Sequence, residues 1–483
     1  MTKPAPTGLQ TDLYQLTMAQ GYWKLGRADQ QAVFNLTFRK PPFGAGVALA
    51  CGLAQALELI EHFGYSPAQI EFLATLKGND QQPLFDRGFL DWLAEQRATI
   101  DLDAMPEGSA SFPHEPLLRV RGPLAQCQLL ETSLLTVINF QTLIATKAAR
   151  IVAAAGGDAV LEFGLRRAQG LDGGLSASRA AYIGGVAATS NVEAGMRFGI
   201  PVRGTHAHAW VMAFEHEQDA FSAYAEAMPN NCVFLVDTYD TMKGVDRAIL
   251  EAAKLHARGH TMAGIRLDSG DLGELSKAAR KKLDAAGLQH AAIVASSDLD
   301  EYAIDELKLS GAAISVWGVG TRLATAYDQP ALGGVYKLAA LEQADGSWRR
   351  MVKLSENPIK TSLPGLLQVR RLSVAGKPIV DVIYDEEFGP PQPGEPGWPL
   401  DVTKLEPVPL PADAQVEDLL QPVLRLGQRV GPAPSIEASR ARAHEQLASF
   451  PGLLRGGQHP VLLETKLATL ERELIAAARS SSP

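Results

Sequence analysis

The chain has 483 residues, is 46% hydrophobic and 20% charged, and carries a net charge of −9. That length and apolar content predict two or three domains with sizeable cores and exclude a disordered chain. The negative balance argues against a general nucleic-acid or anionic-membrane surface, so an anionic substrate would need arginines gathered at one place.

The N-terminus, MTKPAPTGLQ, has no apolar h-region of a secretory leader. No apolar run reaches the roughly 18 residues that span a bilayer. Cys51, Cys127 and Cys232 are scattered and odd in number. They read as reduced core thiols of a cytoplasmic protein, not as a zinc site or disulfide framework. QTDLYQLTMAQGYWKLGRADQ, residues 10 to 30, reads as a helix opened by Thr11 or Asp12. QAVFNLTFRK alternates like a strand and ends in Arg39 and Lys40, which suit phosphate contacts or a charged surface edge. Residues 51 to 100 hold amphipathic helical patterns, and residues 116 to 130 read as strands. ETSLLTVINFQTLIATKAARIVAAAG reads as one long apolar helix stopped by Gly156 and Gly157.

The pattern then changes. Short apolar runs recur, each ending in polar residues and leading into a helical stretch: DAVLEFGLRR, AYIGGVAATSN, IPVRGTHAHAW, CVFLVDTYDT, MAGIRLDSGDL, AAIVASSDLDE and AISVWGVGTRLAT. So many alternating units predict an α/β fold with a parallel sheet closed as a βα-barrel, whose active site sits at the C-terminal strand ends. Residues 384 to 412 are crowded with proline and read as a wrapped loop or linker. SIEASRARAHEQLASF reads as a late amphipathic helix, and the tail RSSSP as frayed.

The strand ends carry chemistry. EFGLRRAQG offers Phe163, Arg166 and Arg167, a ring followed by cations that suit a flat anion or a phosphate. VDTYDT offers Asp237 for ribose hydroxyls or a magnesium-bound group, while Asp240 or Thr241 would cap the next helix. GIRLDSGDL places Arg266 and Asp268 two residues apart on one face, as a binding pair or a salt bridge, with Ser269, Gly270 and Asp271 behind them. GVGTRLAT offers a glycine-rich turn whose free amides can seat a phosphate. Cations, diol-binding carboxylates and an amide nest together suit a sugar phosphate or nucleotide.

TDLYQLTM, FRKPPFGAG, EFGLRRA, RGTHAHAW, VDTYDT, RLDSGDL and GVGTRL, in this order, resemble the nicotinate phosphoribosyltransferase family. The resemblance covers about residues 10 to 365, where VKLSENPIKTSLPG also fits, and fades toward the C-terminus. It implies an irregular βα-barrel of the type II phosphoribosyltransferase kind over residues 131–365. An N-terminal α/β domain would span 1–130, part of it packing with the C-terminal segment, and a C-terminal extension 366–483. It implies that nicotinate and 5-phosphoribosyl 1-pyrophosphate yield nicotinate mononucleotide and pyrophosphate, with coupled ATP hydrolysis and magnesium, in NAD salvage. Homodimers that share active sites, with no nucleic-acid or membrane partner, are implied too.

Carried over by motif, Tyr14 would stack on the pyridine ring from the neighbouring subunit, with Phe163 on the other face. Arg266 would hold the nicotinate carboxylate, Asp268 would lie near the ribose or ring, and Arg166 would bind phosphate. Ser190, Thr205, Ser269 and Gly270 would line the substrate. Gly318, Gly320 and Thr321 would seat the 5′-phosphate, and Asp237 would lie near the pyrophosphate and magnesium. His208 matches the family histidine phosphorylated by ATP. His206, two residues earlier, is expected to face the other way and only support it. A zinc pair lacks a nearby third ligand. Nicotinamide and quinolinate phosphoribosyltransferases and a non-catalytic nucleotide-binding regulator are the competing readings. Ser190, which would not repel an acid, favours nicotinate; GTHAHAW argues against the quinolinate enzyme.

Overall fold

The structure, a computed structural model, describes residues 6–353, 362–400, 406–432 and 434–480. The N-terminal MTKPA stretch, the centre of VKLSENPIKTSLPG and the last residues of RSSSP lie outside them. The chain forms two compact units, one of residues 144–330 and one of residues 1–143 with 331–483.

The 144–330 unit holds a six-stranded, all-parallel sheet. Its order is Ala188–Thr189, Ala159–Glu162, Val316–Val319, Ala292–Ser297, Gly264–Leu267, Val233–Leu235. Helices follow the strands, as expected for strands buried on both faces. The irregularity lies between the two edge strands. IPVRGTHAHAW forms no strand there. Val202 makes one parallel bridge to Thr189, and the His206 ring nitrogen Nε2 accepts from the amide of Leu235 at 3.2 Å. The segment Val202–His206 thus occupies the gap in the ring. Helix Thr241–Ala257 starts at Asp240, whose carboxylate accepts from the Lys243 amide at 3.0 Å. Helix Leu272–Ala285 starts at Asp271 in the same way, through the Glu274 amide at 3.0 Å.

The other unit contains a seven-stranded sheet in which Gln31–Phe38 lies between Gly334–Glu342 and Pro116–Pro123, both antiparallel to it. A six-stranded sheet is built around the hairpin Leu367–Val374 and Lys377–Asp385, and a ribbon pairs Ala48–Leu49 with Ala110–Ser111. Helix Leu13–Lys24 begins after Asp12, but the Asp12 carboxylate accepts from the Thr132 hydroxyl at 2.8 Å instead of capping the helix. Two sequence expectations are corrected. Residues 116 to 130 are a strand only over Pro116–Pro123, and Leu124–Leu129 is a buried helix, because its apolar residues are packed on every side. The proline-rich stretch includes short strands, Pro396–Pro399 and Val408–Pro409, which pair with each other. Helices Glu131–Ala155 and Ile436–Ser449 lie where the sequence places them. No helix among the described residues is long and apolar enough to cross a membrane.

Candidate active site

The polar ends of the parallel strands meet at one cavity of about 570 Å³. Its wall includes Phe163, Arg166, Arg167, Ser190, Thr205, Arg266, Asp268, Gly318, Gly320 and Thr321. It lies wholly within the 144–330 unit.

A buried carboxylate organises one side. Glu162 is 1% exposed and accepts from Ser178 Oγ at 2.9 Å, from Thr189 Oγ1 at 2.6 Å and from the Gly164 amide. A carboxylate so satisfied ties two strand ends and the turn between them into one piece. Phe163 follows directly, its amide bonded to the Val319 carbonyl at 2.8 Å, and the Ser190 amide donates to the Glu162 carbonyl at 2.9 Å. The Phe163 ring lies over Gly318, where a Cβ would stand 2.8 Å from ring carbons. Only glycine there lets the ring take that place. Arg166 and Arg167 follow on the short turn Leu165–Arg167, both exposed at the cavity wall.

Arg266 is held and yet unfinished. Nη1 donates to the Thr205 hydroxyl and to the His206 carbonyl at 3.4 Å, and Nη2 to Asp268 Oδ1 at 3.4 Å. Its Nε is buried with no partner among the described residues. A buried donor left unmet costs on the order of 1–3 kcal/mol, which an incoming acceptor would recover. Burial alone would raise the Asp268 carboxyl, but the Ser296 hydroxyl, Arg266 and His208 outweigh it and hold the group below its ordinary value. Asp268 is therefore a fixed anion. Asp237 holds the next turn: Oδ2 accepts from the Asp268 amide at 2.8 Å and from Ser269 Oγ at 2.7 Å, while Oδ1 is buried and unpaired. Gly270 takes the left-handed backbone, φ 79°, that lets this turn feed the following helix.

The two histidines part ways. His206 is 7% exposed and packed edge-on against Tyr224, ring centroids 4.8 Å apart. Burial, with Arg266 and His208 nearby, lowers its pKa to about 4, so it is neutral. His208 opens the helix His208–Met212 and is half-exposed. Its Nδ1 lies 3.1 Å from Thr238 Oγ1 and its Nε2 3.7 Å from Asp268 Oδ2.

Phe163, Arg166, Ser190, Thr205, Arg266, Asp268, Gly318, Gly320 and Thr321 thus share one wall. His208, Asp237 and Ser269 join them through Asp268. Tyr14 belongs to the other unit, where it is 49% exposed on helix Leu13–Lys24. Sequence reasoning missed Ser296, Ser297 and Asp298, which also line the cavity. The run AAIVASSDLDE marked a strand end, and its SSD triplet was the available signal. Ser297 adopts φ 146°, rare for a residue with a side chain. It missed Thr238 as the partner of His208 as well, because that contact joins a helix start to a loop 30 residues away.

Comparison with known proteins bears on this geometry. Models of the nicotinate phosphoribosyltransferase N-terminal domain, family and C-terminal domain match residues 9–139, 159–368 and 368–470. The chain belongs to the nicotinate phosphoribosyltransferase family. The Bacillus subtilis nicotinate phosphoribosyltransferase is 49% identical over 364 residues, 75% of this chain and 73% of its own. The Homo sapiens protein of that name is 38% identical, with 98% of each chain covered. The crystal structure of human nicotinic acid phosphoribosyltransferase superposes with a TM-score of 0.84 at 35% identity, over 96% of this chain and 99% of that one. A nicotinate-nucleotide pyrophosphorylase from Pyrococcus furiosus, 22% identical with a TM-score of 0.68, shares the fold. Within this family member, the cavity supplies what a displacement between two anions requires. It has an aromatic wall, several cations and a fixed carboxylate, and the half-exposed imidazole of His208 stands 3.7 Å from that carboxylate.

Proposed function

We propose that this chain joins nicotinate to 5-phosphoribosyl 1-pyrophosphate, giving nicotinate mononucleotide and pyrophosphate, with ATP and water consumed to ADP and phosphate. The observation that carries the reading is a single cavity lined by Phe163, packed against Gly318, and by Arg266, whose buried Nε has no acceptor among the described residues. A pyridine ring fits against Phe163, and its carboxylate answers the guanidinium. The neutral Ser190 in the wall favours an acid over an amide that would need a carboxylate acceptor.

The pyridine nitrogen is its own nucleophile, so the protein needs no strong base. It attacks the anomeric carbon as the bond to pyrophosphate breaks, through a cation-like sugar. Catalysis comes from orientation and charge placement. Asp268, held ionised, stands near the ribose and favours that developing positive charge. Arg166 binds phosphate oxygens, and Gly318, Gly320 and Thr321 seat the 5′-phosphate. Thr205 steadies Arg266, and Ser269 and Gly270 shape the turn behind Asp268.

Magnesium fits the oxygen donors present. The orphaned Oδ1 of Asp237 and the carboxylate of Asp268 are hard ligands suited to an ion that arrives with pyrophosphate or ATP. When bound, that ion neutralises the departing charge.

His208 takes a phosphoryl group from ATP. A ring nitrogen forms an N–P bond as the bond from the γ-phosphorus to ADP breaks, and water later releases phosphate. A charged phosphohistidine then orders the site for the sugar pyrophosphate. Tyr14 of a second copy supplies the other aromatic face in a homodimer, and Arg39 and Lys40 contact phosphates. The three buried thiols, Cys51, Cys127 and Cys232, suit a reducing, cytoplasmic setting.

The test is turnover by purified protein with 5-phosphoribosyl 1-pyrophosphate, magnesium and either nicotinate or nicotinamide, with and without ATP. Nicotinate turnover stimulated by ATP is expected. Turnover of nicotinamide alone would move the reading to the amide-specific reaction, and no turnover with either would overturn it.

A further inference from the structure

The C-terminal segment after helix Ile436–Ser449 has no part in the reaction as described above, yet it closes tightly on one turn. That turn is FRKPPFGAG. Strand Gln31–Phe38 ends beside Arg39, and two prolines lead into the short helix Pro42–Gly44. Phe43 sits there in the left-handed region, φ 58°, and Gly44 at φ 65°. Left-handed backbone at a bulky residue is unfavourable and persists only when something holds it.

The C-terminal segment grips the chain just beyond it. The Gly46 amide donates to the Leu453 carbonyl at 2.7 Å. A Cβ on Gly46 would overlap the carbonyl of Gly457. Val47, Ala110, Phe112, Phe450 and Leu453 form one apolar cluster. Phe112 stacks on His459 with ring centroids 4.4 Å apart. Beneath the cluster, buried Arg371 pairs with Asp381 at 2.6 Å and donates to the Ala110 carbonyl at 2.9 Å and to Gln446 Oε1 at 2.7 Å. His459 Nε2 stands 3.2 Å from the other Asp381 oxygen. The ribbon of Ala48–Leu49 with Ala110–Ser111, next in chain after the turn, is thereby fixed from behind.

On the front of the same turn lies a small basic cavity. Arg39, His114 and Lys337 line it with Asn35, Thr37 and Ser362. The Phe38 carbonyl accepts the His114 amide at 2.8 Å, so His114 is carried on the same frame. Burial and the nearby Arg39 lower the His114 pKa. Asn35 Oδ1 is buried there without a partner.

We infer that the C-terminal segment Phe450–His459 is a positioning clamp: it sets the FRKPPFGAG turn so that Arg39 and Lys337 face one phosphate group. The inference rests on the phosphate reading of Arg39 given above. Leu453, Gly457 and Gly46 touch no substrate in this scheme. They act through the turn.

The experiment measures steady-state kinetics of the full-length enzyme for Arg39→Ala, Leu453→Ala, Leu453→Met, Gly46→Ala and the double variant Arg39→Ala/Leu453→Ala. Thermal melting confirms folding, and Leu453→Ala serves if Gly46→Ala does not fold. Arg39→Ala is expected to raise KM for 5-phosphoribosyl 1-pyrophosphate about tenfold or more, the scale of one lost charged contact. Leu453→Ala and Gly46→Ala should raise that KM about fivefold while leaving the nicotinate KM and kcat within about twofold. Leu453→Met, which keeps the volume, should restore the wild-type KM. The double variant should be no worse than Arg39→Ala, because both changes act on one contact. Folded Leu453→Ala and Gly46→Ala with wild-type KM, beside an impaired Arg39→Ala, would overturn the clamp alone. An unimpaired Arg39→Ala would overturn the phosphate reading and leave the clamp nothing to position.

Discussion

His206 and His208 stand two residues apart and meet opposite surroundings. His206 points into an aromatic nest of Phe221, Tyr224 and Phe234, accepts a backbone amide and stays neutral. His208 points the other way, between Thr238 and Asp268. Two residues apart on a continuous strand would share a face; the rings part because the chain turns from extended backbone at Ala207 into the helix at His208. One ring packs between the edge strands, and the other is the ring proposed to carry chemistry. A histidine pair close in sequence is not a pair in function unless the backbone makes it one.

Breaking the comparison starts with the reactive member. His208→Ala should lose all stimulation by ATP while keeping ATP-independent turnover, measured as initial rates with and without ATP. Persisting stimulation would remove His208 as the phosphate carrier. Arg266→Ala should raise the nicotinate KM about 100-fold, the scale of a charge-assisted hydrogen bond lost with its partner left unpaired. An unchanged KM would sink that assignment. Thr238→Val should cut ATP stimulation about tenfold, near the worth of one hydrogen bond, and Thr238→Ser should restore it. Equal loss of the ATP-independent rate would instead mark Thr238 as structural.

The smallest effect belongs to His206. Its folded pKa of about 4 lies below the unfolded value of 6.5. Between these values the unfolded chain binds the proton and the folded chain does not. Stability is thus complete above pH 6.5 and falls as the pH drops toward 4. By pH 5 the loss from this one group should be about 2 kcal/mol. Denaturant unfolding at pH 7.5 and 5 should show a smaller drop for His206→Gln, which keeps an acceptor for the Leu235 amide. An identical drop would assign the acid sensitivity elsewhere.

The contrast extends to how the two units were read. In the 144–330 unit every short apolar run but IPVRGTHAHAW marks a strand, and the polar ends mark the candidate site, because chemistry and periodicity coincide there. Phe163, Arg266 and Gly318 could be placed on one wall from their motifs. The helix Leu124–Leu129 could not be told from a strand, since a residue buried on every side leaves no period to read. The hold of Leu453 and Gly457 on Gly46 was invisible for another reason. It joins residues about 400 positions apart, and no local pattern encodes such a contact. Likewise Thr238 met His208, and Asp298 joined the wall, only through the fold.

The most direct test is to incubate the protein and its His208→Ala variant with ATP and magnesium and to map phosphate by mass spectrometry under alkaline conditions, where a phosphohistidine survives. Phosphate on residue 208 of the wild type, lost on addition of nicotinate and 5-phosphoribosyl 1-pyrophosphate and absent from the variant, is the predicted result. Phosphate on another residue, or none while ATP still stimulates turnover, would contradict the account.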